Sequence, residues 1–479
     1  MLNKINFKNM ERAKFLVIPM AFVASLATAQ VTAFHTTNLG LEDPVIGTAR
    51  YTGMAGAMGA LGGNSSSVKD NPAGLATSTL SDVGLTFNVH SDSEGKCSFN
   101  MNDASAVFNF NHHSSGYISS ALSISYNRIR NYAHRLYRYG TINYTDLDAE
   151  GKLIGTSTGS FSDEGIEKGG SGEVNFAYAG NINNMVYFGF SLGITSMHYN
   201  QRSIYQKVSL DQANIDDWDR NWLYPDDFYR ETDGFGVNFK VGLIAQPTDF
   251  MRIGASIQTP SKYNCNEYWE FYQENMDEQG NSVNALTDSE YNYELHLPFK
   301  FNAGIGFMIN DRVNLGIDYS MKNFSKTWVE MNGVENRPLE EDIENLGTRQ
   351  STLKIGAECN IIDGLDVRAG YALTTAPMKD ADEMKAYAQR VGGLYLDADA
   401  NTGFVPNYGV TMTGKTHYVT AGIGYTGKVG YVDFAYVRRL ANEQYFEAIP
   451  GAAVDFPSLK VEDTKRGSND FMLTLGLRF

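Results

Sequence analysis

From residue 80 onward the chain alternates with period two. Val83, Leu85, Phe87 and Val89 alternate with small or polar partners, and Ile118, Leu122, Ile124 and Tyr126 with Ser119, Ala121, Ser123 and Ser125. Phe235, Val237, Phe239, Val241 and Leu243 alternate with Gly236, Asn238, Lys240 and Gly242, and the chain ends on Phe471, Leu473, Leu475, Leu477 and Phe479. Successive side chains of a strand point to opposite faces, so the pattern predicts strands with one apolar face and one small or polar face. About fourteen such segments are readable, near 82–90, 104–111, 116–130, 173–181, 185–199, 234–246, 249–259, 295–309, 312–322, 350–360, 364–374, 416–426, 429–439 and 469–479. Short connections (His112–Ser115, Asn181–Asn184, Pro247–Asp249, Asn310–Asp311, Ile362–Asp363, Thr426–Lys428) alternate with long ones at 131–172, 200–233, 260–294, 323–349, 375–415 and 440–468, and a shorter one at 91–103.

Tight turns at one end, long loops at the other and an aromatic last residue predict an all-β fold. The expected form is a transmembrane antiparallel β-barrel of about 14 strands, its apolar face toward lipid and its polar face toward the lumen. A soluble β-sandwich or propeller shares the period, but its outer face is polar and its loop lengths do not segregate to one end. After residue 80 every proline except Pro298 lies in a connection or at a strand end, as ladder bonding requires.

The N-terminus has the three parts of a secretory signal: Lys4, Lys8, Arg12 and Lys14, an apolar core from Phe15 to Leu26, and Ala27-Thr28-Ala29 before Gln30. That core is too short to span a bilayer, and no later stretch approaches 18 uncharged apolar residues, so membrane residence would have to use strands. Composition agrees: 47 glycines, 28 tyrosines and 27 phenylalanines accompany only 20% charged residues. The net charge of −16 argues against nucleic acid as a partner. Cys97, Cys265 and Cys359 form no disulfide framework and no zinc motif.

Residues 31–80 do not alternate. They run through Gly47, Gly53, Gly56, Gly59, Gly62 and Gly63 to Asn71-Pro72-Ala73, a small-residue segment suited to packing inside a lumen as a plug. The stretch GTARYTGMAGAMGALGGNSSSVKDNPAGLA resembles the hatch of the FadL/TodX-type outer-membrane transporters of long-chain fatty acids and hydrocarbons. Asn71, Pro72 and Ala73 match that family's Asn-Pro-Ala signature. The resemblance covers the mature chain in architecture but only this stretch in motif, so ligand identity does not carry over. It implies a signal peptide at 1–29, a hatch at 30–80 and a 14-stranded barrel at 81–479. It also implies capture of a lipophile among extracellular loops, a pocket beside the hatch, and lateral release through the barrel wall without an energy source.

Candidate ligand-contacting residues follow. All four tryptophans fall in expected extracellular loops, and Trp218, Trp222, Trp269, Phe271 and Tyr272 are candidates for a capture groove; a headgroup-level aromatic girdle or loop self-packing explains them equally well. The alternation turns Lys240, Arg252, Lys300, Lys354, Arg368, Asp318, Glu358, Asp366 and Asp433 into the lumen. Lys240 and Lys300 are the candidates for a ligand carboxylate, against a network of opposite charges holding plug and strands together. Gly155-Thr-Ser157-Thr-Gly159 fits G-x-S-x-G without its strand-to-helix context, so no catalytic set is expected. His112 and His113 sit in an expected periplasmic turn, on the wrong side for haem capture. The acidic run Asp211, Asp216, Asp217, Asp219, Asp226 and Asp227 matches no calcium loop; no metal and no cofactor is expected.

The expected function is passive uptake of hydrophobic small molecules across the outer membrane of a Gram-negative bacterium. The expected partners are those molecules, outer-membrane lipid and lipopolysaccharide, and the barrel-assembly machinery through Phe479, with the chain monomeric. The rival reading is a receptor, adhesin or secretion-associated scaffold, including a haemin-receptor-type role, using the same barrel without lipophile transport.

Overall fold

The computed structural model describes residues 32–112, 116–147, 153–209, 224–276, 282–310, 312–380, 382–384, 386–387, 410–447 and 460–479. The signal segment and Trp218 and Trp222 lie outside them. Fourteen antiparallel strands close on themselves. They are β1 (Asp82–Ser91), β2 (Cys97–Asn111), β3 (Tyr117–Asn131, continued by His134–Leu147), β4 (Leu153–Ile182), β5 (Val186–Ser209), β6 (Tyr224–Thr248) and β7 (Met251–Gln258 and Ser261–Met276). Then follow β8 (Ser282–Leu297 and Lys300–Ile309), β9 (Val313–Asn323), β10 (Arg349–Ile362), β11 (Leu365–Thr374), β12 (Val410–Thr426), β13 (Gly430–Glu447) and β14 (Lys460–Arg478). β14 returns to β1 in register from Asp82↔Arg478 to Ser91↔Asn469, which closes the sheet. The first connection is tighter than expected: Asp92 to Lys96 turns β1 into β2, with Gly95 at φ +79°.

The alternation sorts as it does in a barrel surrounded by hydrocarbon. Leu85, Phe108, Leu122, Ile124, Phe176, Phe239, Ile257, Ile305, Ile355 and Phe434 are exposed on the outside, while Thr86, Asn175, Lys240, Asn302, Lys354 and Asp433 are buried within. A soluble protein does not present an apolar face of this extent. No described helix is long and apolar enough to cross a membrane.

Two expectations change. The long connections are largely strand: β4 runs for 30 residues, β5 for 24 and β6 for 25, so the ladder climbs well above the apolar band. Gly155–Gly159 belongs to such a ladder, opposite residues 142–146 of β3, rather than to a loop. The stretch 295–309, read as one strand, is broken at Pro298. Pro260 breaks β7 at the same height: Ser261 pairs with Leu297 above the breaks and Gln258 with Lys300 below them. Proline has no N–H to donate, so both ladders skip there.

Between β9 and β10 the chain leaves the wall through a rim hairpin, Trp328–Met331 and Val334–Glu335, and a helix, Arg337–Leu346. Asn332 and Gly333, at φ +52° and +76°, make the hairpin turn that such a dipeptide favours. Inside the barrel lies the plug segment. It comprises α1 (Ala33–Gly40), α2 (Ala49–Gly53) and two 3-10 turns, Ser65–Lys69 and Pro72–Thr77.

Candidate functional site

The lower plug lies close against the wall. Asn71 caps the second 3-10 turn, accepting from Ala73 N at 3.1 Å, and its amide donates to Gly59 O (2.9 Å) and Leu243 O (3.1 Å). Pro72 and Ala73 are buried against Gly189 of β5. Gly189 belongs to a collar of lumen-facing glycines in which Gly189 pairs with Gly242, Gly254 with Gly304, and Gly306, Gly316, Gly356 and Gly370 stand in one row. A Cβ on Gly242 would lie 1.9 Å from Asn71 Oδ1, and one on Gly316 would lie 2.0 Å from Ala57 O. At Gly189, Gly254, Gly316, Gly356 and Gly370 plug backbone occupies the space of a side chain, and at Gly242 and Gly306 the side chains of Asn71 and Leu61 do, so glycine is required.

Around this contact runs an ionic network. Asp70 receives Lys354 at 2.7 Å, Lys300 at 3.4 Å and the Tyr51 hydroxyl at 2.5 Å. Glu42 receives Lys300 at 2.9 Å and Lys322 at 3.0 Å. Arg50 forks onto Glu358, which also takes Arg368; Arg368 reaches Asp433 (2.5 Å) and Asp366 (3.2 Å). Gly59 N donates to Asp318 (2.6 Å), and Arg252 donates to Leu61 O (2.6 Å). Burial opposes charging Asp70 and Glu42, but the lysines outweigh it and hold both carboxyls well below the usual range. Burial lowers Lys69, whose ammonium donates to Ile46 O, to about 8.

The lumen-facing charges therefore point inward as the alternation requires. Lys240 and Lys300, the candidates for a ligand carboxylate, each hold a protein carboxylate already: Glu173 for Lys240, Glu42 and Asp70 for Lys300. A buried charge is retained only when paired, and here the partners come from the plug and the neighbouring wall.

The upper lumen is different. Phe34 and Leu39 of α1 pack with Tyr132, Met197, Tyr199, Tyr263, Tyr293 and Leu297 from the wall. Leu339, Ile343 and Leu346 of the rim helix and Met378, Met384 and Met412 close the same cluster. At its polar edge Glu267 takes His35 (3.2 Å), Arg230 (3.0 Å) and Tyr291 (2.6 Å). Trp269 and Phe271, read as loop residues, lie on β7. Trp269 is opposite Arg230 and Phe271 opposite Phe228, which puts both on the inner face, while Tyr272 is on the other. Trp328 lies on the rim hairpin. Three interior cavities lined by described residues measure about 60, 30 and 10 Å³, each far below the few hundred Å³ of a small-molecule pocket. Sequence reading missed α1 as a core element because its few apolar residues show no helical stripe.

The wall has a seam. β2 pairs with β3 only from Asp103↔Asn127 down to Asn111↔Ser119, so Cys97–Asn102 and Arg128–Asn131 face each other without a ladder. A bulge at Asn102 starts the divergence. The plug covers the free edge: Asp43 N donates to Ile129 O at 2.9 Å, Asn131 N donates to the Asp43 carboxylate at 3.3 Å, and Arg130 lies 3.8 Å from that carboxylate. Outside, a groove of about 1270 Å³ begins at the seam by Asn100, Tyr126 and Arg128 and runs to Asn264 and Glu294.

Neither a family model nor a curated relative matches the sequence. Solved structures do match the fold. A FadL homologue of Pseudomonas aeruginosa is 13% identical with a TM-score of 0.55, covering 91% of this chain and 99% of that one. The toluene transporter TodX of P. putida is 11% identical at 0.52, with 91% and 99% covered, and the CymD monoaromatic hydrocarbon channel 14% identical at 0.51, with 92% and 98% covered. The chain therefore shares the fold of these proteins over 91–92% of its length, at low sequence identity.

Proposed function

We propose that this chain is an outer-membrane channel for passive uptake of hydrophobic small molecules, long-chain fatty acids or similar lipophiles. A lipophile captured at the rim replaces the apolar contacts of α1, moves past the plug, and leaves sideways through the seam between β2 and β3. The carrying observation is the seam itself: a stretch of wall without ladder bonds, covered by two plug residues, Asp43 on Ile129, Arg130 and Asn131, and Asn38, whose Oδ1 accepts from Arg130 at 3.4 Å. Two backbone-level contacts of this kind are each worth about 1 kcal/mol net, so the closure is reversible without an energy source. The likeness to hydrocarbon channels supports the reading, as does the apolar outer band.

The test ties the plug to the edge it covers. In a Cys97→Ser background, Asp43→Cys and Asn131→Cys are joined by a short bifunctional thiol reagent, and uptake of a labelled fatty acid and of toluene is followed in cells. Uptake should fall to the background of a deletion strain on cross-linking, while each single-cysteine variant transports normally. Undiminished uptake with complete cross-linking would rule out exit at this seam. A receptor or scaffold barrel would show no uptake above the deletion background in any form.

A further inference from the structure

The rim hairpin carries charge in an arrangement that neither the barrel nor the plug explains. Its first strand pairs with β8 at three positions only: Glu294↔Glu330, Leu295↔Val329 and His296↔Trp328. Across the hairpin turn Glu330 is opposite Glu335. Three glutamates thus stand in one row across three adjacent strands, and like charges directly opposite one another destabilise a ladder. A row of this kind needs a cation. Lys262 of β7, opposite His296, places its ammonium 2.7 Å from Glu294. Among the described residues no basic side chain pairs with Glu330.

His296 completes the group. It is two residues from Glu294 and so on the same face, and its ring lies flat on the Trp328 indole, with centroids 3.5 Å apart and planes 9° from parallel. That stacking fixes the plane of the imidazole. Its Nε2 is shielded from solvent, lacks a hydrogen-bond partner and lies 3.5 Å from Glu294 Oε2. One ligand atom from each of Glu294, His296 and Glu330 falls within 4.8 Å of the others.

We propose that Glu294, His296 and Glu330 form a binding site for a divalent metal ion of borderline softness, of which Zn²⁺ is the type. One imidazole nitrogen and two carboxylates suit such an ion, with water completing the shell. The ion balances the charge of Glu294 and Glu330 and releases the Lys262 ammonium. It also fastens the hairpin to β8 at the point where only three residue pairs hold it. Fastening the hairpin fastens the rim helix that follows it, whose Leu339, Ile343 and Leu346 close the apolar chamber around α1. The site faces outward beside the wall groove, which Glu294 and Glu330 help to line. A second group, His198, Glu231 and Asp233, offers a comparison. There His198 already pairs with Asp233 at 2.8 Å and is exposed, and among the described residues no ring stacks on it.

The test uses the full chain, purified in detergent and stripped with EDTA, titrated with ZnCl₂ in a calorimeter. Zinc should saturate a site whose affinity drops about tenfold or more in His296→Ala and in Glu330→Gln, since losing a ligand exceeds the loss of a supporting contact. Lys262→Met should bind at least as tightly as the parent, and His198→Ala should bind like it. Heat-modifiable gel mobility verifies that each variant is a folded barrel. In a second readout, zinc should slow limited proteolysis near Gly333 in the parent and not in Glu330→Gln. The proposal is overturned if the parent shows no saturable binding, if His296→Ala and Glu330→Gln bind like it, or if only His198→Ala loses the ion.

Discussion

The two ends of the plug are held by opposite means. Below, plug backbone lies on wall glycines, with a Cβ on Gly316 or Gly242 about 2 Å from plug atoms, and five lysines and arginines of the wall and plug clasp Asp70, Glu42 and Glu358. Above, α1 is held by side chains, several of them methionines, which repack at small cost. An apolar ligand can stand in for Phe34 and Leu39 because it supplies what they supply. Nothing apolar substitutes for the lower contacts, which yield only when ion pairs separate. In the proposed channel the upper half is the place of exchange and the lower half the barrier.

The strongest way to break this contrast is to put a side chain into the collar. Gly316→Leu should expel the lower plug, since overpacking against backbone costs about 1–3 kcal/mol or more. The plug should then be cleaved by added protease around residues 55–63 while the barrel keeps its heat-modifiable mobility. Leu39→Ala in the upper half loses a packed side chain, about 2–5 kcal/mol, yet should leave the lower plug protected. Equal protection in both variants would dissolve the distinction.

Charge comes next. Asp70→Asn leaves Lys354, 2% exposed, without its carboxylate, and an uncompensated buried charge costs about 3–5 kcal/mol. Adding Lys354→Met should recover much of the loss, measured as plug protection in hydrogen exchange. A double variant no better than the single one would mean the pair does not hold the plug. Asn71→Ala removes a cap and two amide bonds, so about 1–2 kcal/mol of docking, and should raise basal leakage of a small lipophile without altering barrel assembly.

The barrel was legible because lipid imposes a strict contrast on every second residue: Phe235 to Leu243 can only be read as a strand with an apolar face. Above the lipid that contrast ends, so the upper half of β4 reads as a polar loop although it continues the ladder. Asn71-Pro72-Ala73 could be read from a local motif. Its contacts could not, because Leu243 and Gly189 are far away in the chain and glycine announces nothing about what fills its space. The inward direction of Lys300 followed from parity, but its partners Glu42 and Asp70 lie in a segment with no periodicity. The seam depends on one bulged residue, Asn102, and the Glu294–Glu330 pairing on the register of a three-residue ladder. Neither leaves a local signal.

The smallest expected effect concerns pH, and it separates the charges of the lower plug from one another. Asp70 and Glu42 are held below their usual range when docked, so they bind protons more weakly docked than undocked. Their contribution is full above the undocked carboxylate range of about 4 and is lost as pH falls through the docked values. Between pH 5 and 7 they impose no slope. Lys69 behaves oppositely: burial lowers it from 10.5 to about 8, so between these values the docked plug has shed a proton that the undocked plug retains. Docking must then strengthen as pH rises through that window, by at most about tenfold per unit. Hydrogen exchange of the plug amides, corrected for intrinsic rate, should slow from pH 8 to 9.5. Lys69→Met should abolish that slowing. A slope that persists in Lys69→Met would assign it to another group and remove Lys69 from the account of the lower plug.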